Sequence, residues 1–401
     1  MTATPGPLFA LALASISLIG PLAVHLFMPV IPAVKVALGL SDALAQLTFS
    51  IALFSMALAT LVYGSLSDRY GRRPVLLSGL CLFLVGSAVS AVTDSVLMLV
   101  LGRLVQAVGA GCGITLVRAM AQDVYGPARL VKAIAYLTMF YTIGPMISPL
   151  VGGILIDTLG WRSVFGFGLV LGSVITLNAY FAIFETRSPS PANRTGGNVL
   201  RNYCELFGHA RFTAFVLQTG FSTGSFMVAA TAASSLMKEM LHRPSTEFGI
   251  YFLLFPLGFL FGNFIVSRVG SRVANETMVF AGSLLLVAAI AMQSSLLLNG
   301  YVTPFTLFAP GFFITMAQGI SLSYAQTGAM ATNPKLAGTA AGVGVFVQNF
   351  CGAVFAQLYG LLADGTPGPL TETTAISALL GLIAGGLPFL MARKQRPASL
   401  E

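Results

Sequence analysis

Few residues in this 401-residue chain are of types that do chemistry: three histidines, four cysteines and thirteen acidic residues. His25, His209 and His242 lie on separate segments without HxxxH or HExxH spacing, so they form no metal site. Cys81, Cys112, Cys204 and Cys351 are scattered without CxxC spacing, which argues against a disulfide framework or zinc. No Ser/His/Asp grouping and no GxxxxGK[ST] loop occurs. An enzyme therefore has no catalytic constellation to rest on, nucleotide is not the energy source, and no cofactor is expected. What stands out is His25 and Arg103, each inside a long apolar run. An imidazole with an ordinary pKa of about 6.5 can bind and lose a proton near neutrality. A charged side chain in such a run costs about 2.5–3.5 kcal/mol on insertion scales, which makes Arg103 a candidate functional residue. The two together suggest a proton carrier tuned by a neighbouring positive charge. The plainer alternatives are an arginine that bonds helix carbonyls or snorkels outward, and a histidine that is a neutral wall residue.

The elements that must position them follow from composition. Hydrophobic residues make up 56% of the chain, charged residues 8%, and the mean hydropathy is +0.86. An ordinary soluble domain carries about 25% charged residues, so the bilayer must be part of the solvent here. Runs long enough to cross about 30 Å of hydrocarbon as helices fall at 8–34, 44–66, 75–93, 97–119, 131–155, 161–184, 211–236, 247–267, 278–298, 302–328, 337–362 and 372–392. The fold class expected is an all-α membrane protein with twelve transmembrane helices. The first run has no basic residue ahead of it and no cleavage site after it, so it is read as a retained helix. With the N-terminus inside, sixteen Lys and Arg fall on the cytoplasmic side and four outside, the bias that sets orientation. Both termini are then cytoplasmic, and the net charge of +8 calls for no nucleic-acid partner. His25 and Arg103 sit some 8 and 6 residues from the outer ends of their helices, a similar depth of roughly 9–12 Å.

The stretch 185–210, rich in Ser, Pro, Asn, Gly and Arg, divides the chain into a six-helix bundle at 1–186, a cytoplasmic linker at 187–210 and a second bundle at 211–401. A weak repeat supports two pseudo-symmetric halves. Gly64-Ser-Leu-Ser-Asp-Arg-Tyr-Gly-Arg-Arg73 follows the second span and Asn263-Phe-Ile-Val-Ser-Arg-Val-Gly-Ser-Arg272 the eighth, with Arg, Gly and Arg in step.

Gly64, Asp68, Arg69, Gly71, Arg72 and Arg73 complete the pattern of the loop between helices two and three in the major facilitator superfamily, which this chain resembles. In residue terms Gly64 allows close approach of a neighbour, Gly71 a tight turn, and Asp68 a partner for a helix N-terminus or an arginine. The resemblance implies a cytoplasmic latch, with Asp123 as partner of Arg72 or Arg73; the bland reading is a basic loop that sets topology. Arg103-Leu-Val-Gln106-Ala-Val-Gly109 resembles the family's fourth-helix motif. Gly144, Pro145, Pro149, Gly152 and Gly153 resemble its antiporter motif on helix five, with Ser148 where glycine usually stands. Simple packing of small residues would also explain the latter. Phe184-Glu185-Thr186 closes the first half as in many members.

Within the superfamily the chain is most similar to the bicyclomycin- and chloramphenicol-resistance drug:proton antiporters, through Met28-Pro-Val-Ile-Pro32, Asp123-Val-Tyr125, Ser148-Pro149, Gly249-Ile-Tyr251-Phe252 and Ala337-Gly338-Thr339-Ala340. One departure matters: that branch carries an aspartate where this chain has His25. The resemblance implies a secondary active transporter of the bacterial inner membrane that exports amphipathic drugs or small metabolites against inward proton flow, by alternating access and as a monomer in membrane lipid. Candidate substrate-binding residues are Met28, Gln106, Phe140, Tyr141, Gln218, Phe221, Phe226, Tyr251, Gln318, Gln348 and Asn349. A proton-independent facilitator, or an importer of metabolites or siderophores, stays open, because no carboxylate is clearly buried mid-span. A channel lacks any filter loop.

Overall fold

The computed structural model describes residues 6–187, 199–333 and 336–394, less the side chains of 126–129, 131, 132, 135, 199, 200, 393 and 394. The described residues form helices and no strand. In chain order the helices are α1 (Pro7–Ser17), α2 (Ile19–His25), α3 (Val30–Leu38), α4 (Asp42–Tyr70), α5 (Arg72–Val92), α6 (Val96–Leu159) and α7 (Arg162–Ala182). They continue with α8 (Val199–Phe207), α9 (Ala210–Glu239), α10 (Ser245–Phe252), α11 (Leu254–Val269), α12 (Asn275–Leu298), α13 (Pro304–Thr332), α14 (Ala337–Leu362) and α15 (Gly368–Lys394).

The first span, expected as one helix over 8–34, is broken twice, and prolines are the cause. Pro21 cannot donate to Ser17 and Pro29 cannot donate to His25, so the ladder lapses at Leu18 and over residues 26–29. Across the second gap Met28 N donates a long bond to the His25 carbonyl, at 3.4 Å. In α6, conversely, the residues that join two expected spans are themselves helical. Ile16 O lies 2.9 Å from the Cβ position of Gly113, and Ser17 Oγ donates to Leu137 O at 3.5 Å. Residues 113 and 137 would stand about 36 Å apart on a straight helix, so α6 reverses between its two spanning parts, Val96–Tyr125 and Tyr136–Leu159.

Eleven helical stretches among the described residues are apolar and long enough to span a membrane. The expected seventh span, α9, is not among them, although its 30 residues reach about 45 Å. Its interior carries Gln218, Thr219, Ser222, Thr223, Ser225, Thr231 and Ser234, all buried. Thr219, Thr223 and Thr231 donate to the carbonyls of Val216, Thr219 and Met227 in the same helix. These hydroxyls are satisfied without water, so a helix of modest hydropathy can stand in a hydrophobic bundle. The chain is thus an all-helical, multi-pass membrane protein.

Two compact units divide the chain: Met1–Arg194 with His242–Ile250, and Thr195–Leu241 with Tyr251–Glu401. In the first, α5 packs on α6 so closely that a methyl on Gly86 would strike the backbone of Gln106, and one on Gly109 that of Phe83. In the second, Phe212, Phe215, Val279, Tyr324 and Val347 share a core with Leu206. Leu206 belongs to α8, so this part of the expected linker is an anchored helix; positions 188–198 lie outside the described residues.

Candidate functional site

Arg103 is 1% exposed, about two turns into the first spanning part of α6, Val96–Tyr125. Its guanidinium is held from three sides. Nε donates to the Thr48 carbonyl of α4 at 3.1 Å, and Nη1 donates to Gln106 Oε1 at 2.5 Å. The Phe27 ring covers it at 4.1 Å from the centroid, with Phe165 at 5.9 Å. Gln106 is one helical turn along, and its Nε2 donates to Ser87 Oγ on α5 at 2.8 Å. The amide is thereby fixed at both ends, as a bracket for the arginine. Nη2 has no hydrogen-bond partner, and no carboxylate lies within ion-pair distance of Arg103 among the described residues. A cation–π contact is worth about 2 kcal/mol or more when desolvated, which offsets part of the burial cost without neutralising the charge.

His25, 7% exposed, ends α2 at the proline break, two residues before the Phe27 that covers Arg103. Met28, completely buried, belongs to the same turn. Sequence reasoning singled out His25, Arg103 and Gln106 as candidates. It missed Phe27, Phe165, Ser87 and Thr48, whose roles exist only through contacts with distant parts of the chain.

The loop motif is built around Arg72. Its guanidinium meets Asp68 at 2.7 Å, Ser67 Oγ at 2.5 Å and, through Nε, Asp123 Oδ2 at 3.1 Å. Gly71, at φ 101° and ψ 151°, turns the chain from α4 into α5, a conformation open essentially to glycine alone. Gly64, expected to admit a close neighbour, has no described atom from another element within 4 Å of its Cβ position, so no close neighbour meets it there. The N-terminus of α5 is met by Glu185 and not by Asp68: Oε1 accepts from Arg72 N at 2.9 Å and Oε2 from Arg73 N at 3.2 Å. Arg73 Nη2 donates to Tyr180 O at 2.9 Å, Arg187 Nη1 to Arg69 O at 3.0 Å, and Thr186 Oγ1 to Asp123 at 3.2 Å. The strand of chain after α7 thus ties α4, α5 and α6 together. The signal for Glu185 lay in its motif, but its distance of 113 residues from Arg72 hid the bond.

On the second part of α6, Gly144 lies against Pro21, and Gly152 against Leu26 O at 2.6 Å from its Cβ position. The antiporter-like glycines therefore seat α6 along the broken first span. Pro145 and Pro149 stand between them in the same helix. Tyr125, Tyr136, Phe140, Leu11 and Ala14 line a cavity of about 440 Å³ in this unit, with no charged residue in its wall among the described residues. Tyr141, the neighbour of Phe140, is 37% exposed.

The remaining candidates belong to the second unit. Gln218 Nε2 donates to Ser283 at 3.2 Å, and its Oε1 has no partner. Gln318 Nε2 donates to Thr223 at 3.0 Å. Phe221 packs edge-on against Phe355, Phe226 against Phe255, and Tyr251 stacks on Phe308. Gln348 Nε2 is buried without a partner, whereas Asn349 turns back to Val345 O in its own helix.

The Major Facilitator Superfamily model matches residues 13–356. The chain belongs to the major facilitator superfamily. It is therefore a transporter and not an enzyme. The facilitator chain is 28% identical to Multidrug resistance protein D of Escherichia coli (strain K12), over 90% of this chain and 91% of that one. It is 24% identical to the Bicyclomycin resistance protein homolog of Haemophilus influenzae, over 94% and 95%. Solved structures of similar fold include a bacterial homologue of the human lysosomal transporter Spinster, with a TM-score of 0.76 at 17% identity over 97% of this chain and 98% of that one. A D-xylose–proton symporter gives a TM-score of 0.74 at 12% identity, over 95% and 97%.

Proposed function

We propose that this transporter exports amphipathic drugs or small metabolites in exchange for protons by alternating access, with His25 as proton carrier and Arg103 as the charge that tunes it. The observation that carries the reading is the Arg103 site: a buried guanidinium, caged by Phe27 and bracketed by Gln106, with no counter-charge among the described residues. Intramembrane charges of this kind are expensive and mark ion or proton pathways. His25 stands beside that cage in sequence, at a break in the first span, whereas His209 and His242 lie at a helix boundary and in a loop. The relatives named for multidrug and bicyclomycin resistance support drugs as substrates. The apolar, tyrosine-edged cavity of about 440 Å³ suits them, being within the roughly 300–1,000 Å³ of small-molecule sites. The proton gradient supplies the energy and no cofactor is needed. The basic-residue bias supports a cytoplasmic-membrane location with both termini cytoplasmic, and one chain carries the whole pathway, as a monomer in lipid.

The test is ΔpH-driven movement of cationic and neutral antibiotics in proteoliposomes, with the parent protein and His25→Ala. Movement that follows the gradient in the parent and loses that dependence in the variant is the expected result. A variant that keeps full gradient dependence ends the role of His25. A second reading, a proton-independent facilitator, has one observation in its favour: among the described residues the Asp and Glu of the spans stand near span ends. Movement indifferent to the gradient in the parent selects it.

A further inference from the structure

One construction occurs in both compact units. In the first, the Ser87 hydroxyl donates to Phe83 O of its own helix at 2.7 Å and accepts from Gln106 Nε2, so the amide oxygen faces Arg103. In the second, the Ser283 hydroxyl donates to Val279 O at 2.9 Å and accepts from Gln218 Nε2 at 3.2 Å. A hydroxyl has one proton to give. Because Ser283 gives its own to Val279, it holds the nitrogen end of the Gln218 amide and turns the oxygen end away. Nothing corresponding to Arg103 meets that oxygen: Gln218 Oε1 is buried without a hydrogen-bond partner among the described residues.

A second orphaned atom lies one turn along α9. Ser222 Oγ has no partner among the described residues, although a buried helix hydroxyl ordinarily bonds a carbonyl of its own helix, as Thr219 and Thr223 do. Gln218 and Ser222 are 0% and 1% exposed. Their direction follows from helix geometry. Gln218 is bonded to α12, and Thr223, which accepts from Gln318 Nε2, faces α13. Around α9, Ser222 stands about 40° from Gln218 and Thr223 about 140°. Ser222 therefore points into the junction of α9, α12 and α13. The third side of that junction is closed where Gly282 meets Ser321, with 2.9 Å between their Cβ positions. Side chains four residues apart on a helix have Cβ atoms about 5–6 Å apart, which puts both orphaned atoms within reach of one small bridging molecule.

We propose that a single water molecule is bound in the core of the second unit, donating one hydrogen bond to Gln218 Oε1 and sharing another with Ser222 Oγ. A buried polar atom left without a bond is destabilising, and water is the ligand that satisfies both. It has a proton for the amide oxygen and a lone pair for the hydroxyl, within the two to four polar partners that buried water takes. It also brings no charge into a junction whose polar side chains, Gln218, Ser222, Thr223, Ser283, Gln318 and Ser321, are all neutral. Water thus does for Gln218 what Arg103 does for Gln106, as a neutral donor in place of a charged one. The inference requires neither proton coupling nor any particular substrate.

The experiment uses the full chain, purified in detergent, with Leu286→Met as reporter. This is a volume-conserving exchange at a buried position one turn along α12 from Ser283. A synchrotron X-ray pulse turns water into hydroxyl radicals where it stands, and mass spectrometry reads methionine oxidation residue by residue. Met120 and Met237, both buried, are the controls. The reporter should be oxidised faster than either control, and should fall to their level when Ser222→Ala or Gln218→Leu is added. A reporter no faster than the controls overturns the proposal. So does one whose rate neither variant lowers, since its water then lies elsewhere. If Gln218→Leu does not fold, Ser222→Ala, which removes a single hydroxyl, decides alone. A cation in the same place is told apart by the thermal midpoint. Sodium chloride and choline chloride should give the same value, and a higher one in sodium overturns water in favour of an ion. No transport is measured, so failure of the drug–proton reading leaves this result intact, and the reverse.

Discussion

Arg103 shows how a membrane protein can keep a charge in its interior without neutralising it. Backbone carbonyl, amide and aromatic face each take a share, and none carries a negative charge. The role of that charge can be separated from the role of the packing by changing Gln106. Gln106→Glu places a carboxylate at a position already 2.5 Å from Nη1. The protein should remain as stable as its parent in detergent, while transport loses its response to ΔpH. A Gln106→Glu protein that responds to the gradient as the parent does would mean that the uncompensated charge is not used. Gln106→Leu removes the acceptor of Arg103 and the donor to Ser87 together. Its cost should be about 1–3 kcal/mol, the penalty for orphaned buried polar groups, read by thermal or denaturant unfolding.

At the scale of elements, the turn between α4 and α5 depends on a glycine and on a cap from elsewhere in the chain. A side chain at Gly71 would adopt an unfavourable backbone and place its Cβ 2.6 Å from Glu185 Oε2. Gly71→Ala should therefore cost about 1–3 kcal/mol, and Glu185→Ala, which leaves two N–H groups uncapped, about 0.5–2 kcal/mol. Because Gly71→Ala also disturbs the cap, the double variant should cost less than the sum, which unfolding of all three proteins measures. The repeat in the second half has the same backbone logic with less charge. Gly270, at φ 56°, ends α11, but Ser267 and Ser271 stand where the first copy has Asp68 and Arg72. Tyr324 steadies that turn through a 2.6 Å bond to Gly270 O. The loop was legible as a motif because spacing along one turn is local. The cap was not, because it comes from the far end of α7.

For the whole molecule, the helix that hydropathy least supports, α9, shows that apolar length and helix number are separate properties. Side-chain hydroxyls that bond their own helix lower hydropathy without exposing a polar surface. The proposed orientation makes a prediction at this scale. Cys204 is exposed on α8, within the stretch 187–210 assigned to the cytoplasmic side. In intact cells it should resist an impermeant maleimide and react once the membrane is permeabilised, whereas a cysteine introduced at Asn299 should react in both. Labelling of Cys204 in intact cells would invert the topology.

The sequence by itself determined that this is a many-helix membrane protein of the facilitator type, and it pointed to His25, Arg103 and the Asp68–Arg73 loop. Apolar run lengths, prolines, charge bias and motif spacing are properties of short stretches, and they need no knowledge of what folds against them. Only the tertiary structure decided what those residues touch: that Gln106 brackets Arg103, that Phe27 covers it, and that Glu185 and not Asp68 caps α5. Those partners lie up to 113 residues apart. Hydrogen bonds and ring contacts depend on a few ångströms of separation, and nothing in the spacing of a chain specifies such distances until its helices have packed.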